Sequence, residues 1–211
     1  SKIVKITVSH KLTAAANSTN KTVYTIYGSG EINVASNVAV ASSMGEMLKY
    51  GTEITVPKDY EKIKWYGAGE VETYQDRNHG ALIGSYESTV SDSFFPFISP
   101  QACGNHTAVR YFAVESDKKQ SGIMFVANNE IEASALHFTA SDLSGVMHPY
   151  SLPQTDYTIV NVDCLSRGLG AASCGPQPLD QYKMTAKAYS YSYTIVPYDK
   201  NSTDLMKQSK V

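Results

Sequence analysis

Trp65-Tyr66-Gly67-Ala68-Gly69-Glu70 runs on to Glu72-Thr73-Tyr74-Gln75-Asp76-Arg77. After Phe94-Phe95-Pro96-Phe97-Ile98 come Ser99-Pro100-Gln101-Ala102-Cys103-Gly104-Asn105-His106-Thr107 and Val109-Arg110-Tyr111. Just upstream, Ile63 and Trp65 alternate with Lys62 and Lys64, the period of two that marks a half-buried strand. Gly67 and Gly69 are expected to break that strand, by positive φ or by close backbone approach. An irregular loop is expected beyond them. It carries Glu72, Asp76 and Arg77, and a carboxylate near an arginine can form a bidentate, charge-assisted pair. Arg77 is therefore expected to pair with Glu72 or Asp76. Either these charges pin a long loop to a sheet, or they form a polar, carbohydrate-facing rim.

Strand patterns flank this stretch on both sides. Residues 2–8, 22–27, 31–35 and 54–56 alternate, with a polar loop at 14–21 and a glycine turn at 28–30. Residues 111–115 and 122–127 bracket a charged hairpin tip, and 133–139, 157–164 and 187–197 follow. Tyr189, Tyr191, Tyr193 and Ile195 fall on one face. Helix is scarce: one turn within 42–50 and a short helix at 141–147, with Ser141 as a candidate N-cap. The fold class is all-β and antiparallel, a sandwich of ten or more short strands. The 211 residues read as one domain with a polar tail at 199–211.

Charge is nearly balanced, 18 basic against 20 acidic residues. This gives no electrostatic case for nucleic acid or an anionic membrane as partner. No apolar run reaches spanning length. The start, Ser1 with no Met, reads as processed or trimmed, and no basic-then-apolar leader precedes the first strand. The three cysteines, Cys103, Cys164 and Cys174, form no CxxC pair and argue against a disulfide framework or a zinc site. Sequons at Asn17, Asn20, Asn105 and Asn201 are read as chance, and the protein as cytoplasmic.

The pattern W-Y-G-x-G-x-x-E-x-Y-x-D-R followed by P-Q-x-x-G-N-x-T-x-V-R resembles the C-terminal domain of large β-galactosidases of glycoside hydrolase family two. Ser134-Ala135-Leu136-His137-Phe138, His148-Pro149-Tyr150, Asn161-Val162-Asp163 and Gly168-Leu169-Gly170-Ala171-Ala172-Ser173-Cys174-Gly175-Pro176 continue the likeness in order. It is dense over 56–197 and loose over 1–56. Glu70 stands where the family usually has Pro, Ala102-Cys103 where Glu-Asn is common, and Tyr111 where Trp is common.

The resemblance implies a galactose-mutarotase-like β-supersandwich that lacks its opening strands, which should leave a strand edge uncovered. It implies that both catalytic glutamates lie on an upstream (β/α)₈ barrel, which takes roughly 250 residues. This chain then carries no catalytic residue and no cofactor, the family's magnesium and sodium sites belonging to other domains. Its glycine-rich loop would edge the aglycone side of the sugar pocket through Ser173, Cys174 and Gly175, or serve only as a tight turn between strands. Some members place a sugar-stacking Trp there; this chain has none in that loop. Trp65, Glu72, Asp76, Arg77, Asn105 and Arg110 would be structural or rim residues. The implied partners are a β-galactoside, the catalytic barrel and further copies of the chain. A separate carbohydrate-binding sandwich or small subunit is one alternative. An aldose-epimerase-like enzyme is a weaker one, using His106, His137 or His148 with Glu130 or Glu132 as acid and base.

Overall fold

A computed structural model describes residues 2–171, 174–201 and 204–209. Twelve strands make up nearly all of its regular structure: β1 (Ile3–Leu12), β2 (Ser18–Tyr27), β3 (Ile32–Ala39), β4 (Glu46–Met47), β5 (Lys49–Pro57), β6 (Tyr60–Gly69), β7 (Leu82–Thr89), β8 (His106–Ser116), β9 (Ser121–Leu136), β10 (Tyr157–Ser166), β11 (Met184–Thr185) and β12 (Ala188–Asp199). Two short helices, α1 (Ala140–Ser144) and α2 (Leu205–Gln208), complete the chain with a few 3₁₀ turns. Every strand pairing is antiparallel. The all-β antiparallel expectation is met.

The main sheet runs β1-β2-β3-β12-β9-β8-β6-β7, and β10 and β5 branch from β9. The branch makes two layers. The first half of β9 pairs with β12, and the second half, from Glu132 onward, pairs with β10. Between the halves Asn128, Asn129 and Glu130 are exposed, where one strand leaves one layer for the other. The sequence reads those polar residues as a break between two strands, yet the backbone stays extended across all sixteen residues. β5 lies over β3 and β12: the Tyr50 hydroxyl meets Ser36 Oγ at 2.8 Å and the Thr52 hydroxyl meets Tyr191 at 2.6 Å. Between the layers Trp65, Phe112, Phe125, Ile131, Val160, Val162 and Tyr193 form one core.

Three local expectations change. β2 begins at Ser18, because Ala16 and Asn17 take left-handed φ of 54° and 63° and close a tight hairpin where a longer loop is expected. The short helix is capped by Thr139 in a reciprocal capping box with Asp142, not by Ser141. β7, within the stretch expected to be irregular, is a strand paired along β6. In the polar tail, α2 is capped by Asp204, and its Leu205 packs on the cluster that holds Tyr111 and Tyr198.

Candidate functional site

β6 does not end at its glycines; it runs through Gly67 to Gly69. What the glycines provide is room. A Cβ on Gly67 would lie 2.9 Å from the Val109 backbone, and one on Gly69 would lie 2.8 Å from the Tyr86 ring. Trp65 is 1% exposed. Its indole N–H donates to the Ala68 carbonyl at 3.1 Å, and its ring stacks on His106 at 3.9 Å. Burial pulls the His106 pKa down to about 4, so the ring is neutral at physiological pH.

Beyond Gly69 the chain is laced to residues 104–107. Glu72 accepts the Gly104 amide at 2.7 Å, and the Thr73 amide donates to the Asn105 carbonyl at 2.6 Å. The Thr107 amide donates to the Thr73 hydroxyl at 2.8 Å, and Asn105 Nδ2 donates to the Thr73 carbonyl at 3.0 Å. These short polar links replace the sheet ladder, satisfying buried backbone groups.

The same stretch holds a second loop, residues 167–176. Both Asp76 oxygens accept from it, Oδ1 from the Leu169 amide at 3.1 Å and Oδ2 from the Gly170 amide at 2.7 Å. Gln75 donates to the Ser166 carbonyl. Gly170 sits at φ +61°, and a Cβ on Gly168 would strike the Asp76 carboxylate at 2.8 Å. Arg167 fixes the loop's near end through Glu46 at 2.6 Å and Gln177 at 2.7 Å.

Glu72 and Asp76 therefore hold backbone amides, and the expected ion pair with Arg77 does not form. Arg77 is exposed, makes no salt bridge among the described residues, and lies over the Tyr74 ring at 5.5 Å. The carboxylates turn inward because buried amides need acceptors, whereas a guanidinium can stay in water. Arg110 pairs with exposed Glu130 at 2.8 Å. Cys174 is exposed and its amide donates to the Ala171 carbonyl at 3.1 Å; Gly175 follows it, and Ser173 lies outside the described residues.

The three candidate histidines sit in separate settings. His106 is under Trp65, His137 bonds Glu61 at 2.7 Å, and His148 stacks on Tyr150 near the surface. Among the described residues none of them bonds Glu130 or Glu132. Glu61 carries no motif and was not visible as a partner from sequence.

Glu132 is 4% exposed and accepts from Asn105 Nδ2 at 3.0 Å. Asp163 pairs directly across from it on β10 and bonds Lys49 at 3.1 Å. Burial raises the carboxyl pKa values of both, Glu132 to about 7. A cavity of about 440 Å³ opens beside Trp65, Glu70, Glu72, Phe95, Phe97 and His106. A broader groove of about 670 Å³ crosses β1, β2, β3 and β12.

Glycoside hydrolysis needs two carboxyl groups facing each other across the scissile bond. Here Glu72 and Asp76 are occupied by loop amides, and Glu132 and Asp163 are sealed in the sheet. The arrangement shapes and holds two loops.

A family model described as beta galactosidase small chain matches residues 1–195. A β-galactosidase of Streptococcus thermophilus is 30% identical over 197 residues, covering 92% of this chain and 19% of that protein. One of Halalkalibacterium halodurans is 33% identical over 168 residues, covering 77% of this chain and 16% of that protein. The chain thus spans less than a fifth of these relatives. A putative aldose 1-epimerase from Escherichia coli K12 matches at a TM-score of 0.45 and 9% identity, over 93% of this chain and 65% of that one, a likeness too low to argue from. The match over 1–195 extends the resemblance into the first strands, where the motifs are loose. The chain belongs to the β-galactosidase small-chain family.

Proposed function

We propose that this member of the β-galactosidase small-chain family is the C-terminal β-sandwich of an enzyme that hydrolyses terminal β-galactosides. It is one domain, non-catalytic alone, and it supports the catalytic barrel. Its 167–176 loop edges the aglycone side of the sugar pocket through Ser173, Cys174 and Gly175. Trp65, Glu72, Asp76, Asn105 and Arg110 build the frame behind that loop, and Arg77 is a rim residue. The observation that carries this reading is the Asp76 clamp: one carboxylate holds two consecutive amides of a glycine-rich loop. The clamp fixes the loop's entry at Leu169 and Gly170. The layered strands agree with a mutarotase-like supersandwich.

The proposal assigns no cofactor to this chain, the metal sites of the enzyme lying in its other domains. Its three free thiols, Cys103, Cys164 and Cys174, suit a cytoplasmic setting. The outer edge of β1 pairs with no strand among the described residues, and such edges recruit another chain. We therefore expect the chain to self-associate; light scattering that returns a clean monomer mass near 23.0 kDa would contradict this.

The test of function is complementation. Mixed with the barrel-bearing remainder of the enzyme, the chain should restore hydrolysis of nitrophenyl β-galactoside. Asp76→Ala should weaken that restoration, by about 1–3 kcal/mol for two lost hydrogen bonds to a charged group. Full activity of the remainder without this chain would overturn the reading.

A further inference from the structure

The proposed function makes no use of the cavity of about 440 Å³ beside β6. Its volume falls in the range of roughly 300–1,000 Å³ usual for ligand pockets. Trp65 and His106 line it and are buried, so they form its floor. Exposed Glu70, Val71, Asp92 and Phe95 form its rim, and half-buried Glu72 and Phe97 stand between. Val71 is 69% and Phe95 58% exposed, and the Phe95 ring leans on Phe97 at 4.6 Å. Apolar side chains left in water around a cavity mark an interaction surface.

The charges point one way. Glu70, Glu72 and Asp92 all line the cavity, and among the described residues no lysine or arginine does. None of the three carboxylates makes a salt bridge among the described residues. Glu72 Oε2 accepts the Gly104 amide at 2.7 Å, and Asp92 Oδ2 accepts the Thr89 hydroxyl at 2.7 Å. The second oxygen of each carboxylate can take a further donor. On the floor, His106 is 4% exposed, and its Nδ1 has no hydrogen-bond partner among the described residues. Burial keeps this ring neutral, with a pKa of about 4, so it adds no positive charge. Such walls fit a ligand that is positively charged and rich in N–H donors.

We propose that this cavity receives an arginine side chain presented by a partner polypeptide. A metal ion does not fit, because no three ligating side chains converge here among the described residues. Carboxylates spread around a cavity suit a planar group with five forked N–H donors. A guanidinium is weakly hydrated and stacks on aromatic faces, which Trp65, Phe95 and Phe97 provide. A lysine ammonium is a compact, strongly hydrated point charge that gains less from those rings. The arginine stem would lie along Val71 and Phe95 at the rim. A neutral sugar would leave the three carboxylates without a counter-charge. A free amino acid would bring its own carboxylate among them, so the charges favour arginine within a peptide.

The test needs only the purified chain, so it and the complementation test can fail separately. The probe is an N-acetylated, C-amidated Ala-Arg-Ala tripeptide, added stepwise while ¹⁵N spectra follow the Trp65 indole N–H and the Gly104 amide. Both signals should shift along one saturable curve. The matching Ala-Lys-Ala tripeptide and free arginine should each bind roughly fivefold more weakly. Glu70→Gln and Phe95→Ala, both at exposed positions that the fold tolerates, should each weaken binding by roughly threefold. The absence of a saturable shift, lysine or free arginine binding as tightly, or both variants binding like the parent would overturn the proposal. So would methyl β-galactoside moving the same signals where the arginine peptide does not, which would make this a sugar pocket.

Discussion

β1 spans ten residues and buries none of them, while β8 spans eleven and leaves only Ala108 and Arg110 partly exposed. Both carry β-prone side chains. Ile3, Val4 and Ile6 on β1 are 52%, 54% and 46% exposed. On β8, Phe112 and Val114 are sealed between β6 and β9, with a second layer above. Strand propensity reflects fit to a pleated, half-buried surface. Whether that surface exists depends on neighbours far away in sequence. β8 has a neighbour on each side and a layer over it, and among the described residues β1 has only β2.

Substitutions that pit the two ends against each other give the largest contrast. Trp65→Ala, beside β8, should cost about 3–5 kcal/mol in urea unfolding, the range for a deleted core aromatic. Ile6→Ser on β1 should stay within about 0.5 kcal/mol, as an exposed substitution does. Equal losses at both sites would mean that β1 is covered, and the comparison would fail.

A second test separates the layers. Gly51 pairs with Asp163, and a Cβ placed on it would fall 1.8 Å from the Asp163 carboxylate. Gly51→Ala should destabilise by about 1–3 kcal/mol, the usual cost of overpacking. A melting temperature equal to the parent's would show that β5 and β10 are loosely joined.

The buried acids add a pH dependence. Glu132 has its folded-state pKa raised from 4.5 to about 7. A raised acid pKa means the folded state holds the proton more tightly. Its stabilising effect is complete below pH 4.5 and is lost as pH rises through about 7. Asp163 shifts in the same direction. Thermal midpoints should therefore fall between pH 5 and pH 7.5, and Glu132→Gln should flatten that fall. A midpoint that climbs across this window would contradict the assignment.

Arg77→Ala should have the smallest effect, within about 0.5 kcal/mol, because the side chain is exposed and lies over the Tyr74 ring. A loss of several kcal/mol would restore the buried ion pair that the sequence suggests.

That last case shows where sequence reading stops. The all-β class was legible from alternation at Ile63 and Trp65 and along Tyr189 to Ile195, since period two is a local signal. The choice of Glu72, Asp76 and Asn105 as structural or rim residues was legible from the family motifs. Their bonding was not: Asp76 reaches Gly170 across ninety-four positions, and no spacing rule reports such a contact. β7 was hidden because Gly84, Ser85 and Ser88 dilute its pattern. β9 looked like two strands because Asn128 to Glu130 resemble a turn. The roles of Glu132 and Asp163 depend on burial and on direct pairing, which are tertiary facts.

The central claim is that the carboxylates of this chain hold loops and do no bond-breaking. Hydrolysis of nitrophenyl β-galactoside by the purified chain alone tests it most directly. The account predicts no turnover above buffer at any pH from 5 to 8. Turnover that disappears when Glu72, Asp76, Glu132 or Asp163 is replaced by its amide would contradict it.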